Sequence, residues 1–270
     1  MIYFSMGYWV LGLALIASFS GASCGLQCIR QSTKSVTARF RLIWLFVAAC
    51  SIGGVGVSMP IFVSMLGLEV TGSQLRYDTT LTPLCAALSA VTVLVALIVA
   101  GKKLNWVRLG IGTVIMAAGI GTIHLLLLST IRVQGSVDRG LVSIVAVYLI
   151  AAVLSGLLLW FSYWARTVPL VLAGSLVYAV LVLGMHYAGL TGLQVHVDPA
   201  AKRPAGDVLF DFFVPFFIVS TLSLTVPITA ILVAPDRREA RVAPGQPSAA
   251  HSPSLAVASG RAARGSVSGR

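Results

Sequence analysis

The chain has 270 residues, 57% of them apolar and only 10% charged, with a mean hydropathy of +0.94 and a net charge of +11. Ordinary water-soluble domains carry about a quarter charged residues, so charges this sparse exclude a soluble globular protein. The basic surplus sits at the edges of apolar runs and in the last stretch of the chain, a membrane-orientation pattern that needs no nucleic-acid partner.

Only α-helices and closed β-barrels satisfy every backbone group in hydrocarbon. The apolar runs here reach helix-spanning length, about 20 residues, where barrel strands would be about 10 residues of alternating polarity. The expected fold class is an all-α membrane protein with about seven transmembrane helices. Met1 to Met6 holds no basic residue, and Ser23-Cys24 is not preceded by a convincing small-x-small cleavage site. The first run, Tyr3 to Ser23, therefore reads as a retained span and not a signal peptide.

Cys24 and Cys28 follow at the inner end of that span, on one helical face. Cytoplasmic thiols stay reduced, which argues against a disulfide and leaves a paired metal site open. The second span is Leu42 to Leu68. Gly53, Gly54 and Gly56 allow close helix contact in it, and Pro60 predicts a kink that frees backbone groups for a neighbour to satisfy. Tyr77-Asp78 stands ready to cap the third span, Thr82 to Gly101. The fourth, Val107 to Ile131, carries Ala117, Ala118, Gly119 and Gly121, again a contact surface. Leu141 to Trp164 and Val168 to Leu193 come next. Asp207 and Asp211 open the last span, Val208 to Ala234, where carboxylates favour the helix N-terminus. Cys50 and Cys85 read as small buried residues. From Pro235 the chain is mostly Pro, Gly, Ser, Ala and Arg without periodicity, so residues 235–270 are expected to form a disordered basic tail, with no output domain in this chain.

Arg30, Lys34, Arg39, Arg41, Lys102, Lys103, Arg108, Arg166 and the tail arginines fall on one side of this arrangement. Arg76, Arg132, Arg139, Lys202 and Arg203 fall on the other, with Glu69, Asp78, Asp138, Asp198, Asp207 and Asp211. The positive-inside rule then puts the N-terminus outside and the tail in the cytoplasm of a multi-pass inner (plasma) membrane protein.

Three helices that run from inside to outside end in related segments: Pro60-Ile61-Phe62-Val63-Ser64-Met65, Ile123-His124-Leu125-Leu126-Leu127-Leu128 and Met185-His186-Tyr187-Ala188-Gly189-Leu190. The registers Ile61, His124 and His186 are nearly equally spaced. At one common offset beyond each comes a polar residue followed by valine: Glu69-Val70, Arg132-Val133, Gln194-Val195. The pattern predicts a helical-hairpin repeat over residues 42–101, 107–164 and 168–234, with the first span outside it.

At these segments the sequence resembles the MHYT-domain bacterial membrane sensors. Met185 to Leu190 matches that family's Met-His-Tyr-Thr-Gly-Met motif except at Ala188 and Leu190. Gly56-Val57-Ser58 through Phe62-Val63-Ser64-Met65-Leu66 and the Tyr77-Asp78-Thr79-Thr80-Leu81-Thr82 stretch are similar to other segments of the family. The likeness covers residues 42–234. It implies a seven-helix domain over residues 1–234, with a bound metal, copper, near the outer leaflet. Oxygen, carbon monoxide or nitric oxide would be the sensed molecule.

The chemistry of the motif is intelligible without the family. Positions i and i+4 share a helical face, so a His followed by a Met presents imidazole beside thioether, a pairing suited to Cu(I). Here every copy is broken. Ile61 stands at the first His position, with Met65 retained. Leu128 and Ile123 replace the methionines around His124, and Leu190 replaces the later Met after His186. The surviving candidate ligands are Met65, His124 and His186, with Met185 as a possible fourth. Buried methionines also serve simply as packing, and a neutral His can bond to a helix carbonyl. His196 in the last outer loop is either a lid ligand or an exposed residue without a role. The functional expectation is a non-enzymatic membrane sensor, binding copper and through it a gas, that reports through a signalling partner. The alternatives are a small-solute or metal-ion transporter, and a scaffold paralogue without ligand. No carboxylate lies in mid-span as a transporter or a zinc hydrolase would want.

Overall fold

The computed structural model describes residues 2–78, 80–165 and 167–233. Seven helices are long and apolar enough to cross a bilayer: α1 (Trp9–Lys34), α2 (Ala38–Leu66), α3 (Leu81–Ala100), α4 (Trp106–Leu128), α5 (Leu141–Trp164), α6 (Val168–Thr191) and α7 (Leu209–Val233). Large apolar side chains such as Val114, Val142, Leu149, Val180, Val219 and Leu232 face outward, while Ser18, Ser89, Ser155 and Ser175 are buried. Lipid is as apolar as leucine, so small and polar residues gather where helices touch. This is a multi-pass α-helical membrane protein. The expected tail, residues 235–270, lies outside the described residues, as does Arg166.

Six helices pack in sequence around a ring. α2 meets α3, α3 meets α4, α4 meets α5, α5 meets α6, and α1 closes the circle between α6 and α2. The pairs α2–α3 and α4–α5 therefore pack as hairpins. α7 instead lies across α1 and α2.

The first helix departs from its expected bounds. It begins at Trp9 and continues to Lys34, well past Ser23. Residues before it form a strap over the end of α2: Ile2 and Glu69 exchange backbone hydrogen bonds of 2.8 and 2.9 Å, and the Ser5 N–H donates to Gly67 O. Gly7, at φ +93°, then turns the chain into the helix. At the other end hydropathy drops after Ser23, but Gln27, Arg30 and Gln31 are good helix formers and prolong the helix out of the apolar zone. Cys24 and Cys28 are thus interior residues of α1, both buried, with the Ser51 hydroxyl 3.6 Å from the Cys24 sulfur.

The kink expected at Pro60 takes a particular form. Residues Cys50–Ser58 of α2 are π-helical. Proline clashes with the carbonyl four residues back and offers it no N–H, and the wider turn relieves that conflict. The Ser58 hydroxyl donates to Gly53 O at 3.1 Å, five residues back. Gly56 O, the carbonyl that Pro60 leaves without its helical donor, accepts instead from the Ser18 hydroxyl of α1 at 2.7 Å. Ser18→Ala should therefore cost about 1 kcal/mol of unfolding stability. In a Pro60→Ala background, where the missing N–H is restored, the same change should cost nearly nothing. Equal losses in both backgrounds, by unfolding in detergent, would show that the serine does not serve the proline.

Between the helices at the acid-bearing end, the loops form two small antiparallel sheets. β1 (Arg76–Tyr77) pairs with β2 (Ile131–Arg132), and β3 (Gly135–Arg139) pairs with β4 (Leu193–Val197), Val137 opposite Val195. Asp78 behaves as a cap: its carboxylate accepts from the Thr80 and Leu81 N–H groups, each 3.0 Å away, and pairs with Arg132. The Leu81 and Thr80 N–H bonds chiefly hold its carboxyl below the usual carboxylate range. Tyr77 exchanges backbone hydrogen bonds with Asp207, tying the approach to α7 into the same cap.

Candidate metal centre

His124 and His186 occupy the last turns of α4 and α6, two helices that run the same way and end under the β-sheet cap. Both are buried, at 0% and 1% exposure, among side chains that are otherwise apolar or small hydroxyls. Their ring centroids are 5.4 Å apart and the planes stand at 81°, edge to face. None of the four ring nitrogens has a hydrogen-bond partner among the described residues. A structural histidine bonded to a helix carbonyl would look different. Buried polar groups are nearly always satisfied, so paired orphan imidazoles need another explanation.

Gly189 makes the seat for the pair. A Cβ added there would lie 2.7 Å from His124 Nε2 and 2.9 Å from a Leu128 methyl, so only a glycine lets α6 pass this close to the imidazole. Tyr187, next to His186, has its ring 5.5 Å from that imidazole and 5.4 Å from Phe4 of the N-terminal strap. The Tyr3 hydroxyl donates to Leu190 O, which fastens the strap over the same turn. The buried hydroxyls of Ser64 on α2 and of Tyr187 have no hydrogen-bond partner among the described residues. The strap thus packs over the turn that carries His186. Ser64 carried no signal in the sequence; Tyr187 and Gly189 could have been suspected, from their places inside the matched motif.

The structure brings His124 and His186 into direct contact. Met65, near the end of α2, and Met185 are fully buried in the same hydrophobic core. Adjacent helix positions point about 100° apart, so Met185 addresses a different neighbour from His186. Among the described residues no three His, Cys, Asp or Glu side chains gather into a group fit for a metal. Any third protein donor must then be softer or neutral, a thioether, a hydroxyl or a carbonyl. His196 stands exposed on β4 with Nδ1 3.8 Å from Asp138 Oδ2, a surface pair and not part of the buried one.

No family model and no solved structure matches the chain. Over 247 residues, 89% of its length, it is 26% identical to the bifunctional diguanylate cyclase/cyclic di-GMP phosphodiesterase MucR of Pseudomonas aeruginosa. The chain spans 36% of that protein.

Proposed function

We propose that this protein is a membrane-embedded, non-enzymatic sensor module whose His124–His186 pair holds a copper ion and reports its state to a signalling partner. The observation that carries the reading is the contact of two fully buried imidazoles with all their nitrogens unclaimed. Leaving such groups unpaired costs about 1–3 kcal/mol each, a burden that persists where function requires it. The donor set suits the metal: imidazole accepts copper readily, and the Met65 thioether offers a soft third donor. Held by His124 and His186, a copper ion would supply a soft acceptor for oxygen, carbon monoxide or nitric oxide. The signalling half of the reading is supported by the likeness to a cyclic di-GMP enzyme over a portion of that enzyme's length.

The basic end of the bundle, with Arg30, Lys34, Lys102 and Lys103, faces the cytoplasm under the positive-inside rule. The histidine pair then lies near the outer face of the inner membrane. Protein purified from copper-replete cells should carry copper up to one equivalent, and a His124→Ala, His186→Ala variant should lose it, by elemental analysis. Equal copper in both would refute the ligand assignment.

A further inference from the structure

At the opposite end of the bundle from the histidines a cleft of about 810 Å³ opens between three elements. The last turns of α1 supply Arg30 and Lys34, the α3–α4 loop supplies Lys102 and Lys103, and the end of α5 supplies Ser162 and Trp164. Positive-inside placement requires only that basic residues be numerous on one side; it does not require that they converge on one hollow. Here they converge. Every acid among the described residues belongs to the other end.

The basic residues at this end divide into two kinds. Arg108 is committed to the fold: its guanidinium donates to Val99 O at 2.8 Å and lies against Gly101, which at φ +80° ends α3. The Thr33 and Ser162 hydroxyls are likewise spent on Arg30 O and Leu159 O. Lys34, Lys102 and Lys103 are exposed, and among the described residues they have no ion-pair partner. Tyr163 donates to Ala100 O at 2.7 Å and so fixes α5 against the start of the lysine loop. Trp164, about half exposed, stands at the rim as tryptophans do at a membrane interface.

We infer that this cleft binds a phosphate-bearing anion, with Lys34, Lys102 and Lys103 as its cationic wall. Cations brought together from separate elements repel one another, and a multiply charged oxyanion removes that cost. Clefts of this size accept small ligands, and basic hollows between transmembrane helices accept phospholipid headgroups. The same wall serves a lipid phosphate or a soluble one.

The full chain in nanodiscs of phosphatidylcholine separates the two. One arm adds cardiolipin and counts retained lipid by native mass spectrometry; the other titrates inorganic pyrophosphate by calorimetry. Binding is expected in one arm, and that arm names the source. Lys102→Gln, Lys103→Gln should weaken it at least tenfold, while Lys202→Gln, Arg203→Gln, removing equal charge from the far end, should leave it within twofold. The proposal is overturned if neither ligand binds, or if the two charge-matched variants weaken binding equally.

Discussion

Replacing His124 and His186 together by leucine is expected to raise the stability of the metal-free protein by about 2 kcal/mol or more. The sign is the informative part. Histidines that served the fold would donate to a carbonyl or a hydroxyl, and their loss would destabilise. These two have no such partner among the described residues, sit at 0% and 1% exposure, and meet each other edge to face. Leucines of similar bulk would replace four unsatisfied ring nitrogens with apolar surface in an apolar core. Copper should reverse the order. A ligand that binds only the folded state adds about 2.7 kcal/mol at a hundredfold excess over its Kd, and the leucine variant should gain nothing. Unfolding in detergent with and without copper checks both halves. A metal-free double leucine variant that unfolds earlier than wild type would make the histidines structural.

Gly21→Ala should lower stability by about 3 kcal/mol. A Cβ at Gly21 would fall 2.5 Å from Gly56 N, 2.6 Å from Ser51 O and 2.7 Å from Gly56 Cα. All three are backbone atoms of the π-helical stretch, so no side chain can swing aside. α1 would have to withdraw from α2, and the Ser18 bond to Gly56 O would break with it. Gly12→Ala in the same helix meets nothing within 4 Å and faces outward, so it should leave stability within about 0.5 kcal/mol. Comparable losses at the two positions would mean that helix propensity, and not close approach, governs α1.

Much of the architecture was legible in advance because hydrocarbon is an exacting solvent. It demands long apolar helices, and hydropathy alone located seven spans close to where the helices lie. The expected cap at Asp78 and the need for a neighbour to serve the Pro60 break also followed from local chemistry, although Ser18 could not be named. The limits of α1 were misjudged, because hydropathy marks where lipid ends and a helix of Gln27, Arg30 and Gln31 can run on beyond it. The π-helical form of residues 50–58 and the two loop sheets left no pattern of their own, since both depend on what lies across the gap.

For the candidate centre, the amino-acid order by itself determined that His124 and His186 end two helices of the same direction at one depth. Depth follows from counting residues along parallel helices of fixed rise, and that is a one-dimensional property. Whether the two rings face each other depends on how α4 and α6 rotate about their own axes. Contacts set that rotation, including the bare backbone at Gly189 against His124 and the packing of α1 between α6 and α2. Only the assembled bundle decided that two imidazoles meet within 5.4 Å with nothing else to bind.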